Sequence, residues 1–235
     1  MKRLARLAAD HELGAAATDA LSRYLDLLAA DPHAPTTVRD PGQAVDVHLA
    51  DSLSALPLLD DAVRAGLPPR IADLGAGAGL PGIPIAAARP ALHVDLVEST
   101  GRRCAFLRDA LAALGLPNAA VLCARAEELP AQGLRDTYGA AAVRAVAPLA
   151  TLVEYAAPLL VPDGVLVAWK GARDPDEERA GAGAADEVGL EAVEVRPVSP
   201  YEGSAHRHLH LYRKVRPTPP RYPRRPGMAR KKPLG

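Results

Sequence analysis

One stretch constrains this chain more than any other: Ile71-Ala72-Asp73-Leu74-Gly75-Ala76-Gly77-Ala78-Gly79-Leu80-Pro81-Gly82. A short apolar run carries an acid and passes into three alternating glycines. Pro81 suits the first turn of a helix, so the segment reads as strand, tight turn, helix. Glycine lacks Cβ, which opens positive φ and lets a ligand approach the backbone. Units of this kind bind nucleotide-like cofactors outside the carboxyl ends of parallel strands.

The glycines alone leave the cofactor open. Gly77-x-Gly79-x-x-Gly82 matches the dinucleotide fingerprint by letter, and Glu98 ends the next apolar strand, where an acid would hold ribose hydroxyls. Yet the first glycine after the strand is Gly75, and Pro81 falls inside the fingerprint. An acid on the strand followed by Gly-x-Gly-x-Gly favours S-adenosylmethionine. A nicotinamide-dependent oxidoreductase stays as the alternative, although no hydride-transfer site is evident.

From residue 70 onward strands and helices alternate. Strands are expected at 70–74, 92–98, 119–123, 141–146 and 164–169, and helices at 81–89, 100–115, 148–160 and about 174–188. Two late strands, near 191–196 and 206–213, follow one another without a long helix between them and predict an antiparallel edge. The pattern implies an α/β fold, a mostly parallel sheet with helices on both faces. Upstream, Leu13, Ala17, Leu21, Tyr24 and Leu28 predict a helix over 10–30 with Asp10 as cap. Pro32 and Pro35 break it, and a second helix begins with Asp40 as N-cap and Pro41 as first residue. His48 and Asp51 are three apart and share a face of that helix. Three units follow: a helical extension over 1–65, a core domain over 66–214 and a Pro-rich basic tail over 215–235 without regular structure.

The chain is long enough to bury a good core, but aromatic residues make up only 3%, so alanine and leucine must fill it. No run of about 18 apolar residues predicts a membrane span. The two cysteines, Cys104 and Cys123, lack metal-like spacing and read as free buried thiols of a cytoplasmic protein; neither they nor other residues suggest a metal site. Net charge is zero, yet residues 1–202 carry a balance of −10 against +10 beyond Glu202. Such asymmetry suggests a basic arm for a polyanion.

Placement assigns roles if S-adenosylmethionine is the ligand. Gly75, Gly77 and Gly79 admit its amino-acid end to the backbone, and Asp73 favours the ammonium directly or through water. Glu98 takes the ribose hydroxyls, Ala126 and Glu127 sit where adenine belongs, and Leu80 packs nearby. Arg144 and Lys170 end later strands, bordering the substrate cleft. An arginine among apolar neighbours needs a partner, either a ligand or a local acid such as Glu127.

The segment Asp73-Leu-Gly-Ala-Gly-Ala-Gly-Leu-Pro-Gly-Ile-Pro resembles the signature of the bacterial ribosomal RNA small-subunit methyltransferase G family, also called glucose-inhibited division protein B. Val38-Arg39-Asp40-Pro41, His48 through Ser52, Arg102 with Phe106-Leu107-Arg108, Arg125 through Glu128, Arg144-Ala145, Lys170-Gly171, Arg207-His208-Leu209 and the tail around Tyr222 through Gly227 resemble it too. The resemblance implies a class I, Rossmann-like methyltransferase fold with a seven-stranded sheet. It implies methyl transfer from S-adenosylmethionine to N7 of a guanosine in small-subunit ribosomal RNA or the 30S particle; a monomer is expected, and a non-catalytic RNA-binding or ribosome-assembly module stays as a third reading, opposed by the intact glycines, Glu98 and Arg144. It carries cofactor contacts onto Gly75, Leu80, Ala126, Glu127 and Arg144. With that substrate, His48, Lys170, Arg207, Arg224 and Arg225 become candidates for RNA contact, and Tyr222 for stacking on a base. Two positions depart from the family pattern: Ala34-Pro35-Thr36 replaces Asn-Leu-Thr, and Val47 replaces an arginine.

Overall fold

Strands β1 (Arg70–Leu74) and β4 (Tyr138–Arg144) form the centre of the molecule, and both send alternate side chains to opposite faces. Ile71, Ala140 and Ala142 join one apolar cluster, whereas Ala72, Leu74, Ala141 and Val143 join another. Strands buried on both faces are mostly apolar, which is why these read as near-continuous runs instead of alternating ones, with Asp73 the buried exception in β1. The computed structural model describes residues 2–31, 34, 36, 38 and 40–235. Pro32, Pro35, Thr37 and Arg39, and the chain break and motif they were expected to form, lie outside the described residues.

In chain order, α1 (Lys2–Asp10) and α2 (Ala15–Ala30) lead into α3 (Pro41–Ala44), a π-helical turn (Val45–Ala50), α4 (Asp51–Leu53) and α5 (Leu56–Arg64). After β1 come α6 (Gly82–Ala88), β2 (His93–Glu98), α7 (Gly101–Leu114) and β3 (Ala119–Cys123). A 3₁₀ segment (Ala126–Gln132) precedes β4, followed by α8 (Leu149–Ala156), β5 (Leu160–Lys170) and α9 (Pro175–Val188). Strands β6 (Leu190–Val198) and β7 (Arg207–Lys214) and the short α10 (Met228–Lys231) complete the chain.

The sheet has seven strands in the order β3-β2-β1-β4-β5-β7-β6. The first five are parallel, and β7 lies antiparallel between β5 and β6. The expected antiparallel edge is therefore present. Strand order reverses at β1, flanked by β2 and β4, so the crevice outside their carboxyl ends is the topological switch point. No helix among the described residues is long and apolar enough to cross a membrane.

Several details depart from the sequence reading. Asp10 closes α1 instead of capping a helix over 10–30, and α2 starts after Gly14 with no side-chain cap. Asp40 does cap α3, accepting the Gln43 N–H at 2.7 Å. Helix α8 stops at Ala156, short of Pro158, whose ring cannot continue the ladder. Cys104 and Cys123 are joined in a disulfide, not free, because α7 and β3 bring their Cα atoms to 5.8 Å. The tail is docked, not irregular throughout: it forms α10 and buries Tyr222 and Ala229.

Buried polar groups are met by specific partners. Lys214, 2% exposed, donates to Asp136 and to the carbonyls of Ala157 at 2.9 Å and Leu160 at 2.6 Å. Its three donors are thereby used, although burial still pushes its pKa down. Asp95 receives Arg70, His93 and the Tyr138 hydroxyl at 2.9 to 3.1 Å.

The alanine-rich β4 fits because neighbouring backbone crowds it: a methyl at Gly139 would lie 2.2 Å from the Pro68 carbonyl oxygen. Gly139→Ala should destabilise the fold by about 1–3 kcal/mol, as overpacking does. Urea denaturation measures this, and an unchanged midpoint would contradict the close approach.

Candidate functional site

The glycine loop leaves β1 and turns back under the end of β2. The N–H groups of Gly75 and Ala76 both donate to the Val97 carbonyl, at 2.8 and 3.0 Å. Gly75 has φ of 76°, and a methyl there would lie 2.6 Å from the Val146 side chain. Gly77 has φ of 59° with no atom closer than 3.8 Å to the missing Cβ, so its open side leaves room above the loop. The loop is braced from outside, because the buried Tyr24 hydroxyl of α2 donates to the Ala78 carbonyl at 2.7 Å.

Two acids stand at the strand ends. Asp73 is fully buried and accepts the Gly82 N–H on Oδ2 at 2.8 Å, while Oδ1 has no partner among the described residues. Burial pushes its pKa up to about 7, against the pull of the Gly82 N–H and the Arg144 charge. A buried carboxylate with one orphaned oxygen at the root of a glycine loop suits an ammonium group. Glu98 ends β2 and accepts N–H groups from Gly77 at 3.1 Å and Thr100 at 2.8 Å. Ala126 and Glu127 follow β3, and the Glu127 carboxylate accepts the Gly227 N–H of the tail at 2.8 Å. Asp73, the glycines, Glu98 and the Ala126–Glu127 loop thus follow one another at the carboxyl ends of β1, β2 and β3, along one edge of the sheet.

Beside it lies a cleft of about 720 Å³, bordered by Leu80 of the glycine loop, His48, Asp51, Arg144, Trp169, Lys170 and Arg207. Arg144 pairs with Asp51, not with Glu127: Nη1 donates to Oδ2 at 2.9 Å and to the Val47 carbonyl at 3.1 Å. Trp169 Nε1 donates to the Asp51 carbonyl at 2.8 Å. The π-helical segment and α4 are thereby fastened to the ends of β4 and β5. A π turn inside a helix often marks a functional site. Ala145, next to Arg144, has φ of 56°, a conformation costly for a residue with a side chain.

Charges lining this cleft are muted. Lys170 Nζ lies 2.5 Å from Glu177, whose same oxygen accepts the Leu149 N–H. His48 is buried, with Nε2 at 2.8 Å from Thr36 Oγ1 and Nδ1 without a partner among the described residues. Burial, and secondly the Arg144 charge, pushes its pKa down to about 4, so it is neutral at pH 7. His48 and Asp51 share a segment but bond to different partners. Arg207 meets the Tyr201 hydroxyl at 3.4 Å and otherwise faces the cleft.

Two tail residues lie elsewhere than expected for RNA contact. Tyr222 is 3% exposed and its hydroxyl donates to Glu187, so it offers no face for stacking. Arg224 forms a multiple hydrogen bond with the fully buried Glu154, whereas Arg225 is exposed. Sequence reasoning missed Tyr24, Thr36 and Trp169 as positioning residues and did not find Asp51 as the partner of Arg144. The His48-x-x-Asp51 spacing was the available signal for that segment, but which distant strand end it meets depends on tertiary packing.

Residues 17–206 match the family described as rRNA small subunit methyltransferase G. The ribosomal RNA small subunit methyltransferase G of Rubrobacter xylanophilus is 42% identical over 200 residues, covering 83% of this chain and 75% of that protein. Its counterpart in Stenotrophomonas maltophilia is 43% identical over 199 residues, covering 84% and 87%. Among solved structures, a 16S rRNA adenine methyltransferase from Catenulisporales acidiphilia superposes with a TM-score of 0.54 at 17% identity, covering 68% of this chain and 93% of that one. That last likeness shows the fold alone. The chain belongs to the rRNA small subunit methyltransferase G family and is a class I S-adenosylmethionine-dependent methyltransferase.

Proposed function

We propose that the chain transfers the methyl group of S-adenosylmethionine to N7 of a guanosine in small-subunit ribosomal RNA. The cofactor lies over the glycine loop, and the guanine enters the cleft beside Arg144. The observation that carries this reading is Asp73, a buried carboxylate at the end of β1, just before the glycine loop, with one oxygen unpartnered among the described residues. We extend the reading to a monomer acting in the cytoplasm on the RNA or the 30S particle.

Asp73 holds the ammonium of the cofactor, Gly75, Gly77 and Gly79 let its amino-acid end sit against the backbone, and Leu80 packs beside it. Glu98 takes the ribose hydroxyls, and Ala126 with Glu127 flanks the adenine. When bound, S-adenosylmethionine supplies a methyl already activated on a sulfonium. Guanine N7 has a free lone pair and no proton to lose, so no general base is needed. The chain contributes alignment and exclusion of water, a positioning effect. Methylation leaves positive charge on the guanine ring. The neutral His48, Arg144 paired with Asp51 and Lys170 paired with Glu177 limit repulsion of that charge. Arg144 and Lys170 contact cofactor, O6 or phosphate, while Arg207 is placed for phosphate.

Incubating the protein with labelled S-adenosylmethionine and unmodified small-subunit rRNA tests the reaction. Label should appear in N7-methylguanosine, and label in another base would contradict it.

Asp73 adds a pH signature. Its folded pKa, about 7, lies above its ordinary value of 3.8, so the folded state binds the extra proton between them. The contribution of this group to stability is therefore greatest at low pH and declines as pH rises toward about 7. Cofactor binding requires the carboxylate. Calorimetry in buffers of different ionisation enthalpy should show proton release on S-adenosylhomocysteine binding below about pH 7, fading above it. Asp73→Asn should abolish that release and weaken binding at least tenfold, about 1.4 kcal/mol.

Arg144→Ala leaves Asp51 buried without its cation, which costs about 3–5 kcal/mol of stability. Loss of cofactor affinity in that variant assigns Arg144 to the cofactor. Intact affinity with lost methylation assigns it to the guanine side.

A further inference from the structure

The C-terminal segment shows a division of labour among its cations. Beyond Glu202 the chain holds ten bases and no acid. Five of the ten are neutralised by acids of the core: Arg213 by Glu191, Lys214 by Asp136, Arg216 by Asp186, Arg221 by Glu187 and Arg224 by Glu154. Arg225, Arg230, Lys231 and Lys232 are exposed and have no ion pair among the described residues. These four fall within eight residues, around the short α10.

That segment is docked on α8 and on the loop that carries Glu127. Arg224 spans to Glu154 on α8, Thr151 of α8 donates to the Ala229 carbonyl at 3.2 Å, and Arg224 also donates to the Lys232 carbonyl at 2.8 Å. Between these anchors the Gly227 N–H reaches the Glu127 carboxylate at 2.8 Å. Arg125, exposed, begins the same loop that carries Glu127. A docked, basic strap thus touches the loop that holds the adenine.

We infer that residues 217–235 are a two-sided element that couples RNA to cofactor, its inner face completing the adenine subsite through Gly227 and Glu127 and its outer face, Arg225, Arg230, Lys231 and Lys232, binding the phosphate backbone of the ribosomal RNA. The inference rests on the cofactor and substrate reading above. Cations without intramolecular partners gain most from phosphate, by releasing its condensed counterions. RNA bound to the outer face holds the strap against Glu127, so the ordering cost of that wall is already met when cofactor binds. By reciprocity, cofactor then favours RNA by the same factor.

The test uses the full chain, S-adenosylhomocysteine and a small-subunit rRNA transcript in titration calorimetry and salt-dependent binding. RNA should tighten S-adenosylhomocysteine binding by about fivefold or more. Changing Arg225, Arg230, Lys231 and Lys232 together to Ala should leave cofactor affinity without RNA unchanged. The same variant should abolish the RNA-dependent gain and lower the log–log salt slope by about 3, four contacts at roughly 0.7 each. Arg224→Gln combined with Glu154→Gln loosens the strap without leaving a buried charge unpaired, and should weaken S-adenosylhomocysteine binding by about fivefold without RNA. A fourfold-alanine variant with an unchanged salt slope would overturn the outer face, and a loosened variant with wild-type cofactor affinity would overturn the inner one. If wild type binds no S-adenosylhomocysteine, both this inference and the cofactor reading fall; if it binds but the variants match wild type, only the strap falls.

Discussion

A carboxylate with a single hydrogen bond sits at the middle of this molecule. Asp73 is packed at the end of the central strand, held by the Gly82 N–H that opens α6. A methyl at Gly82 would fall 2.6 Å from that carboxylate and 2.3 Å from Leu96, so the helix can begin there only with glycine. Strand, loop and helix are therefore fixed by one contact. Leaving the second oxygen unpartnered is expensive for a fold and useful for a cation-binding site.

Two terminal extensions stabilise that centre from opposite faces. The N-terminal helices join the apolar cluster shared by α6 and α7, and they deliver Tyr24 to the glycine loop and Asp51 to Arg144. The tail joins the other cluster through Tyr222 and brings Gly227 to Glu127. Neither extension supplies sheet, yet each contacts a loop at the carboxyl edge, where ligands bind in open α/β sheets.

The sheet was legible because burial on both faces forces apolar runs, and the late strand pair lacked a helix long enough for a parallel crossover. The positions of the glycines, Asp73 and Glu98 were legible because they lie at or just beyond the ends of strands that sequence places. Arg144 was visible as a cation at a strand end, but its partner was not: Asp51 lies 93 residues away, and only packing selects it over Glu127. The tail misled for the opposite reason. Its prolines and charges read as solvated, whereas acids on α8 and α9, such as Glu154 and Glu187, compensate several of its bases and let it dock. The disulfide was hidden likewise, since 19 residues separate cysteines that α7 folds back together.

Side-by-side calorimetric titration of the protein with S-adenosylmethionine, S-adenosylhomocysteine and NAD tests the central claim most directly. The account predicts saturable binding of the first two and none of NAD. Binding of NAD alone, or equal binding of all three, would contradict the assignment of Asp73, Glu98 and the glycine loop to a methyl donor.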